Sequence, residues 1–84
     1  MYEILLERNA ERDLKKLSKD MFDRVVLGIK SLARNPKPHG IRKIVCSKND
    51  WRMRIGDYRV IYEIDEDVKA VKVMRIRHRR EAYR

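Results

Sequence analysis

The chain is 84 residues long and carries 22 Lys and Arg against 13 Asp and Glu, a formal net charge of +9 at neutral pH. That length gives one small domain, 1–84, with a modest core, and the charge points to a polyanionic partner, nucleic acid first, because neutralised phosphates release their counterions. The single cysteine, Cys46, excludes an internal disulfide and a cysteine-based zinc site, and two histidines without acidic or cysteine neighbours at ligand spacing speak against a metal centre.

Tyr2 to Glu7 reads as a short first strand, with Asn9 as the cap of a helix that begins near Ala10 and buries Leu14 and Leu17. Ser18 caps a second helix with Asp20 in its first turn. Its apolar residues Phe22, Val25, Val26, Ile29, Leu32 and Ala33 recur at spacings of three and four and form a core stripe. Gly28 inside this helix costs about 1 kcal/mol relative to alanine, which implies close packing against a neighbour. Asn35-Pro36-Lys37-Pro38 stops the helix. After a loop through His39-Gly40, a strand is predicted over Ile41–Cys46, with Cys46 as a small buried residue, and a turn over Ser47–Asp50. The acidic turn Asp65-Glu66-Asp67 leads into a last strand from about Lys69 to Ile76. The fold class is α+β: an N-terminal strand and a helical hairpin packed on a small, mainly antiparallel twisted sheet, in the order β-α-α-β-β-β-β. No apolar run spans a bilayer and no signal peptide is visible, so a cytoplasmic protein is expected.

The charge is uneven. Residues 1–34 hold eight basic and six acidic side chains, whereas 35–84 hold fourteen and seven, and the last ten residues contain five arginines against Glu81. In Trp51-Arg52-Met53-Arg54-Ile55 the apolar side chains share one face of a strand and the two arginines the other. Gly56-Asp57 makes a turn, and Tyr58 to Ile64 returns with Arg59 on the face opposite to Tyr58, Val60 and Tyr62. Folding this hairpin gathers Arg52, Arg54 and Arg59 on one side as a phosphate-binding surface. A solvated sheet face has the same alternation. Trp51, Tyr58 and Tyr62 share the apolar phase and read as core.

The segment from Trp51 to Ile64, the run Arg77-His78-Arg79-Arg80-Glu81-Ala82-Tyr83-Arg84 and Asn35-Pro36-Lys37-Pro38 before the sheet, taken in order, resemble the RelE/ParE superfamily of type II toxin-antitoxin toxins, its RelE-like branch in particular. The resemblance covers essentially the whole chain. It implies a toxin that enters the ribosomal A site and cuts messenger RNA by attack of a ribose 2′-hydroxyl on the adjacent phosphate, without metal or other cofactor. It also implies a cognate antitoxin that wraps the basic surface in a hetero-oligomeric complex, and no membrane partner. The related ParE-like toxins inhibit DNA gyrase on the same fold, and a ribosome- or RNA-binding relative without catalysis is the third class.

Carried over by position, Arg52 and Arg54 fall where RelE-like enzymes have paired basic residues, Arg59 matches the arginine after the turn tyrosine, and Arg79 and Tyr83 match the C-terminal motif. Arg59 and Arg79 are assigned to phosphate clamping, since a planar guanidinium grips two phosphate oxygens. Tyr83 is assigned to base stacking or a contact near the 2′-hydroxyl. The best-known members carry lysines where this chain has Arg52 and Arg54, and arginine does not give up its proton. His78 is then the candidate general base, the alternative being a residue packed against the sheet. Arg75, Arg77, Arg80 and Arg84 add general attraction to RNA. The chain stops at Arg84, so no helix is expected after the motif tyrosine.

Overall fold

The computed structural model describes residues 1–44 and 49–82. Elements follow as β1 (Glu3–Leu6), α1 (Arg8–Lys15), α2 (Lys19–Ser31), β2 (Arg42–Lys43), β3 (Asp50–Ile55), β4 (Tyr58–Asp65), β5 (Ala70–His78) and a short α3 (Arg79–Ala82). The five strands form one sheet in the order β1-β5-β4-β3-β2, antiparallel throughout except for the parallel pair β1 and β5. The α+β class and the mainly antiparallel sheet agree with the sequence. The strand predicted over Ile41–Cys46 is described only as Arg42–Lys43. Cys46 and the first half of the following turn lie outside the described residues.

α1 begins two residues earlier than expected, at Arg8 instead of Ala10. Glu7 is still bonded to the sheet, its N–H donating to the Val73 carbonyl at 2.9 Å, and serves as the N-cap without a side-chain bond. The chain thus passes from strand to helix in one step, and Asn9 falls within the first turn. Ala10, Leu14 and Asp13 are buried. Ser18 caps α2 as expected, its Oγ accepting from the Met21 N–H at 3.3 Å. Val25, Ile29 and Leu32 carry the core stripe, but Phe22 remains 40% exposed. Met21, which packs on the core and approaches Gly56 in the β3–β4 turn, takes the place expected of Phe22.

Gly28 is where the close packing inferred from sequence occurs. A Cβ there would lie 2.5 Å from Ile55 Cδ1 and 3.5 Å from Met53 Cε, so α2 rests directly on β3. From the sheet, Val60, Tyr62, Ile64, Val71, Val73 and Ile76 complete a single core, with Trp51 and Tyr58 at its margin. Each fully buried aliphatic side chain contributes roughly 1.5–3 kcal/mol. Tyr62 is wholly buried, and its hydroxyl donates to the Pro36 carbonyl at 2.8 Å, tying the 35–41 loop to the sheet. That burial pushes its phenol up to about 12.

β5 contains an irregularity that the sequence reading did not anticipate. Tyr62 pairs with Val73 but Ile61 pairs with Arg75, so Met74 is an extra residue bulged out of the ladder. A bulge of one residue reverses the phase of all that follows. Before it, Val71 and Val73 face the core; after it, Ile76 does. The strand also runs two residues past the predicted end, to His78.

Candidate nucleic-acid interface

Both helices lie on one face of the sheet, leaving the other for the basic residues. Pairing across β3 and β4 sets Arg54 opposite Arg59, and pairing across β4 and β5 sets Arg59 opposite Arg77. Three arginines therefore stand abreast on adjacent strands. A second row is started by Arg42 opposite Arg52. Cross-strand neighbours on one face sit about 5 Å apart, and like charges so placed destabilise a sheet. Arg42, Arg52, Arg54 and Arg59, with Gly40, line a cavity of about 360 Å³. Arg59 is only 7% exposed, and its Nη1 donates to the Tyr58 carbonyl at 3.4 Å, so its head is held by the backbone. Arg54 Nε donates to the Gly56 carbonyl at 3.2 Å across the turn. A cavity lined by four arginines suits phosphate oxygens, which guanidiniums bind in bidentate fashion.

The gathering of Arg52, Arg54 and Arg59 expected from alternation is thus found. Arg42 belongs with them and was missed, because its register against Arg52 depends on a long-range pairing. Arg77, read as a source of general attraction, stands in the row beside Arg59 and also borders a second cavity at the β5 edge. Arg79, to which the clamp was assigned, is exposed at the start of α3, where its N–H donates to the Asp57 carbonyl at 2.6 Å. Arg80 is exposed on the same short helix. Arg75 forms an ion pair with Asp13, Nε to Oδ2 at 2.9 Å and Nη2 to Oδ1 at 3.3 Å. Tyr83 and Arg84 lie outside the described residues.

His78 follows Arg77 on β5 and pairs with Tyr58, so it falls on the other face of the sheet from Arg54, Arg59 and Arg77. The bulge at Met74 puts His78 in phase with Ile76, on the helix-bearing face. Its ring meets Tyr58 edge to face, with centroids 5.2 Å apart and planes at 89°. Its Nδ1 accepts from the Arg80 N–H at 3.3 Å, which commits that lone pair to starting α3. With Asp13, Lys16, Leu17, Tyr58, Arg75 and Arg77 it lines the second cavity, of about 350 Å³. Among the described residues no group of three or more His, Cys, Asp or Glu is placed to hold a metal ion, and no helix is long and apolar enough to cross a membrane.

This fold is that of the RelE toxins. A chain of the RelBE2 toxin-antitoxin complex from Mycobacterium tuberculosis is 29% identical, with 93% of this chain and 98% of that one covered and a TM-score of 0.82. The archaeal RelE-RelB complex from Pyrococcus horikoshii gives 25% identity over 93% and 94% of the two chains, with a TM-score of 0.83. The isolated RelE toxin of E. coli, at 14% identity, 93% and 84% coverage and a TM-score of 0.81, is similar in fold. No curated protein matches the chain. Residues 4–83 match the family model described as ParE toxin of the type II toxin-antitoxin system parDE. The chain belongs to this family, within the RelE/ParE superfamily of toxins.

Proposed function

We propose that the protein is a ribosome-dependent endoribonuclease that cleaves messenger RNA in the ribosomal A site and is held inactive by a cognate antitoxin in the cytoplasm. The observation that carries this reading is the row Arg54, Arg59 and Arg77, flanked by Arg42 and Arg52, on one face of the sheet. A fold keeps like charges abreast at a cost to its own stability, and a polyanion offsets that cost.

Attack of the 2′-oxygen on phosphorus forms the new P–O bond, breaks the bond to the 5′-oxygen, and leaves a 2′,3′-cyclic phosphate and a 5′-hydroxyl. The 2′-proton must leave, and a proton must reach the 5′-oxygen. Negative charge builds on the phosphoryl oxygens in between, and fixed guanidiniums stabilise it. Arg59, anchored on β4 and nearly buried, is pre-set for this task, with Arg54 and Arg77 on either side. Tyr83 serves the base or the 2′-hydroxyl. The arginines attract any RNA, so selection of the scissile bond falls to the ribosome, which would hold the 2′-oxygen in line with the leaving group. The RelE-RelB and RelBE2 complexes among the structural neighbours support an antitoxin partner of the RelB kind.

The test is cleavage of a defined messenger, free and on ribosomes with an empty A site. Cleavage on ribosomes alone is expected, reduced about 100-fold or more in Arg59→Ala and Arg77→Ala. The family model's own description as a ParE toxin favours gyrase inhibition as the second reading. Intact messenger together with inhibited DNA supercoiling would select it.

A further inference from the structure

The nuclease reading leaves unexplained how Arg77 is kept beside Arg59 at the end of a strand that has lost its neighbour. β1 covers β5 only as far as Val73, which pairs with Leu6 and accepts from the Glu7 N–H. Directly after that point Met74 bulges, and the strand continues to His78 with no strand on its outer side among the described residues. The backbone N–H of Ile76 is directed to that edge. It is met by a carboxylate: Asp13 Oδ2 accepts from the Ile76 N–H at 2.9 Å. The same carboxylate holds the Arg75 side chain through both oxygens. Asp13 is itself only 9% exposed and stands on α1 between Ala10 and Leu14, two residues fixed in the core.

We propose that Asp13 is a positioning residue of the arginine row and acts through Arg77. It replaces the missing strand at the one place where β5 has changed phase, gripping the residues on either side of the Arg75–Ile76 peptide. Arg77 follows immediately, and its place opposite Arg59 depends on that phase. A bulge without an edge partner can slide along the strand, and a slip by one residue would turn Arg77 to the helix-bearing face. Asp13 and Arg77 also line the same cavity. Arg75 is then the second arm of the clamp and does not belong to the RNA-attracting set.

This inference rests on the nuclease reading for its functional consequence, and its test separates the two. Single-turnover cleavage on ribosomes is measured across ribosome concentration for Asp13→Ala, Asp13→Asn, Arg77→Ala and the double variant Asp13→Ala/Arg77→Ala. Misplacement of a charge-stabilising group by about 1 Å lowers rates on the order of 100-fold, so Asp13→Ala should lose that much at saturation. Its half-saturation should stay unchanged, because Arg42, Arg52, Arg54 and Arg59 still attract RNA. Asp13→Asn keeps an oxygen for the Ile76 N–H and should lose less than about tenfold. In the Arg77→Ala background, Asp13→Ala should change nothing further, whereas a merely structural role would cost rate in both backgrounds. Equal losses in the two backgrounds would overturn the proposal. Amide exchange at Ile76 and the Arg77 Nε resonance give a readout independent of cleavage. Asp13→Ala should speed the exchange and shift the resonance, with Asp13→Asn close to wild type. If the wild-type protein cuts nothing, the nuclease reading falls alone, and an unshifted Arg77 signal in Asp13→Ala then sinks the clamp.

Discussion

Replacing Arg54 by glutamine should make the protein more stable and less able to engage RNA. Arg54 is exposed and stands directly opposite Arg59, with Arg52 two residues away on the same strand face. A like-charge pair across a ladder costs a few tenths to about 1 kcal/mol. The i, i+2 neighbour at about 7 Å adds roughly 0.6 kcal/mol in a water-like dielectric. Against this stands the exposed hydrogen bond from Arg54 Nε to the Gly56 carbonyl at 3.2 Å, whose loss costs a few tenths of a kcal/mol because water replaces it. The net gain is about 0.5–1 kcal/mol, which for a domain of this size raises Tm by roughly 2–8 °C. Thermal unfolding followed by circular dichroism measures it. At about 1 M salt, where the Debye length shrinks to about 3 Å, the difference should vanish. A short RNA should raise the Tm of the wild type more than that of the variant, since binding to the folded state stabilises it by mass action. An Arg54→Gln protein less stable than wild type at low salt, or a gain that ignores salt, would refute the claim that the row stores repulsion.

Three further outcomes follow from the geometry. His78→Gln should reduce single-turnover cleavage by less than about tenfold, because the ring packs on Tyr58, on the face of the sheet opposite to Arg54 and Arg59; a loss of two to four orders of magnitude would identify it as the base. Stability should fall as pH rises from 10 toward 12. Burial raises the Tyr62 phenol in the folded chain, so its contribution is complete below the unfolded value of 10.0 and disappears as the pH climbs through the folded value of about 12. At about 1.4 kcal/mol per unit this amounts to about 3 kcal/mol. Tyr62→Phe removes that pH dependence while costing about 1–3 kcal/mol at neutral pH by orphaning the Pro36 carbonyl, and parallel pH–stability curves for the two proteins would contradict the assignment. Gly28→Ala should lie within about 1 kcal/mol of wild type in chemical denaturation, since the helix-propensity gain is offset by moving Ile55 Cδ1 off its rotamer. Gly28→Val should cost about 1–3 kcal/mol, and equal stability of all three would mean that α2 does not rest on β3.

The element order was legible because local signals agreed with the tertiary outcome. Ser18 caps α2, the prolines at 36 and 38 follow its end, and Gly56-Asp57 closes the hairpin, each for a reason contained within a few residues. The misplacements arose where a distant partner overrode such a signal. Asn9 is a better intrinsic cap than Glu7, but the bond from Glu7 to Val73 keeps the chain in the sheet until Arg8. Phe22 has the right helical phase for the core, but Met21 reaches the hairpin turn instead.

The site shows the same division more sharply. Alternation within one hairpin was enough to unite Arg52, Arg54 and Arg59, because both strands keep their phase from end to end. Alternation along Val71-Lys72-Val73-Met74-Arg75-Ile76-Arg77-His78 fails at Val73-Met74, where two apolar residues are adjacent. That break is the trace a bulge leaves in sequence, and it decides which of Arg77 and His78 shares the arginine face. Continued without the break, the phase of Val71 and Val73 would send Arg75 and Arg77 into the core and leave His78 beside Arg59. The buried carboxylate of Asp13, 63 residues before Ile76, secures the opposite arrangement. The same backbone feature fixes the face from which the His78 imidazole would act. The guanidinium of Arg77, which neighbouring arginines would otherwise repel, occupies the place beside Arg59 because the strand is held from its other edge.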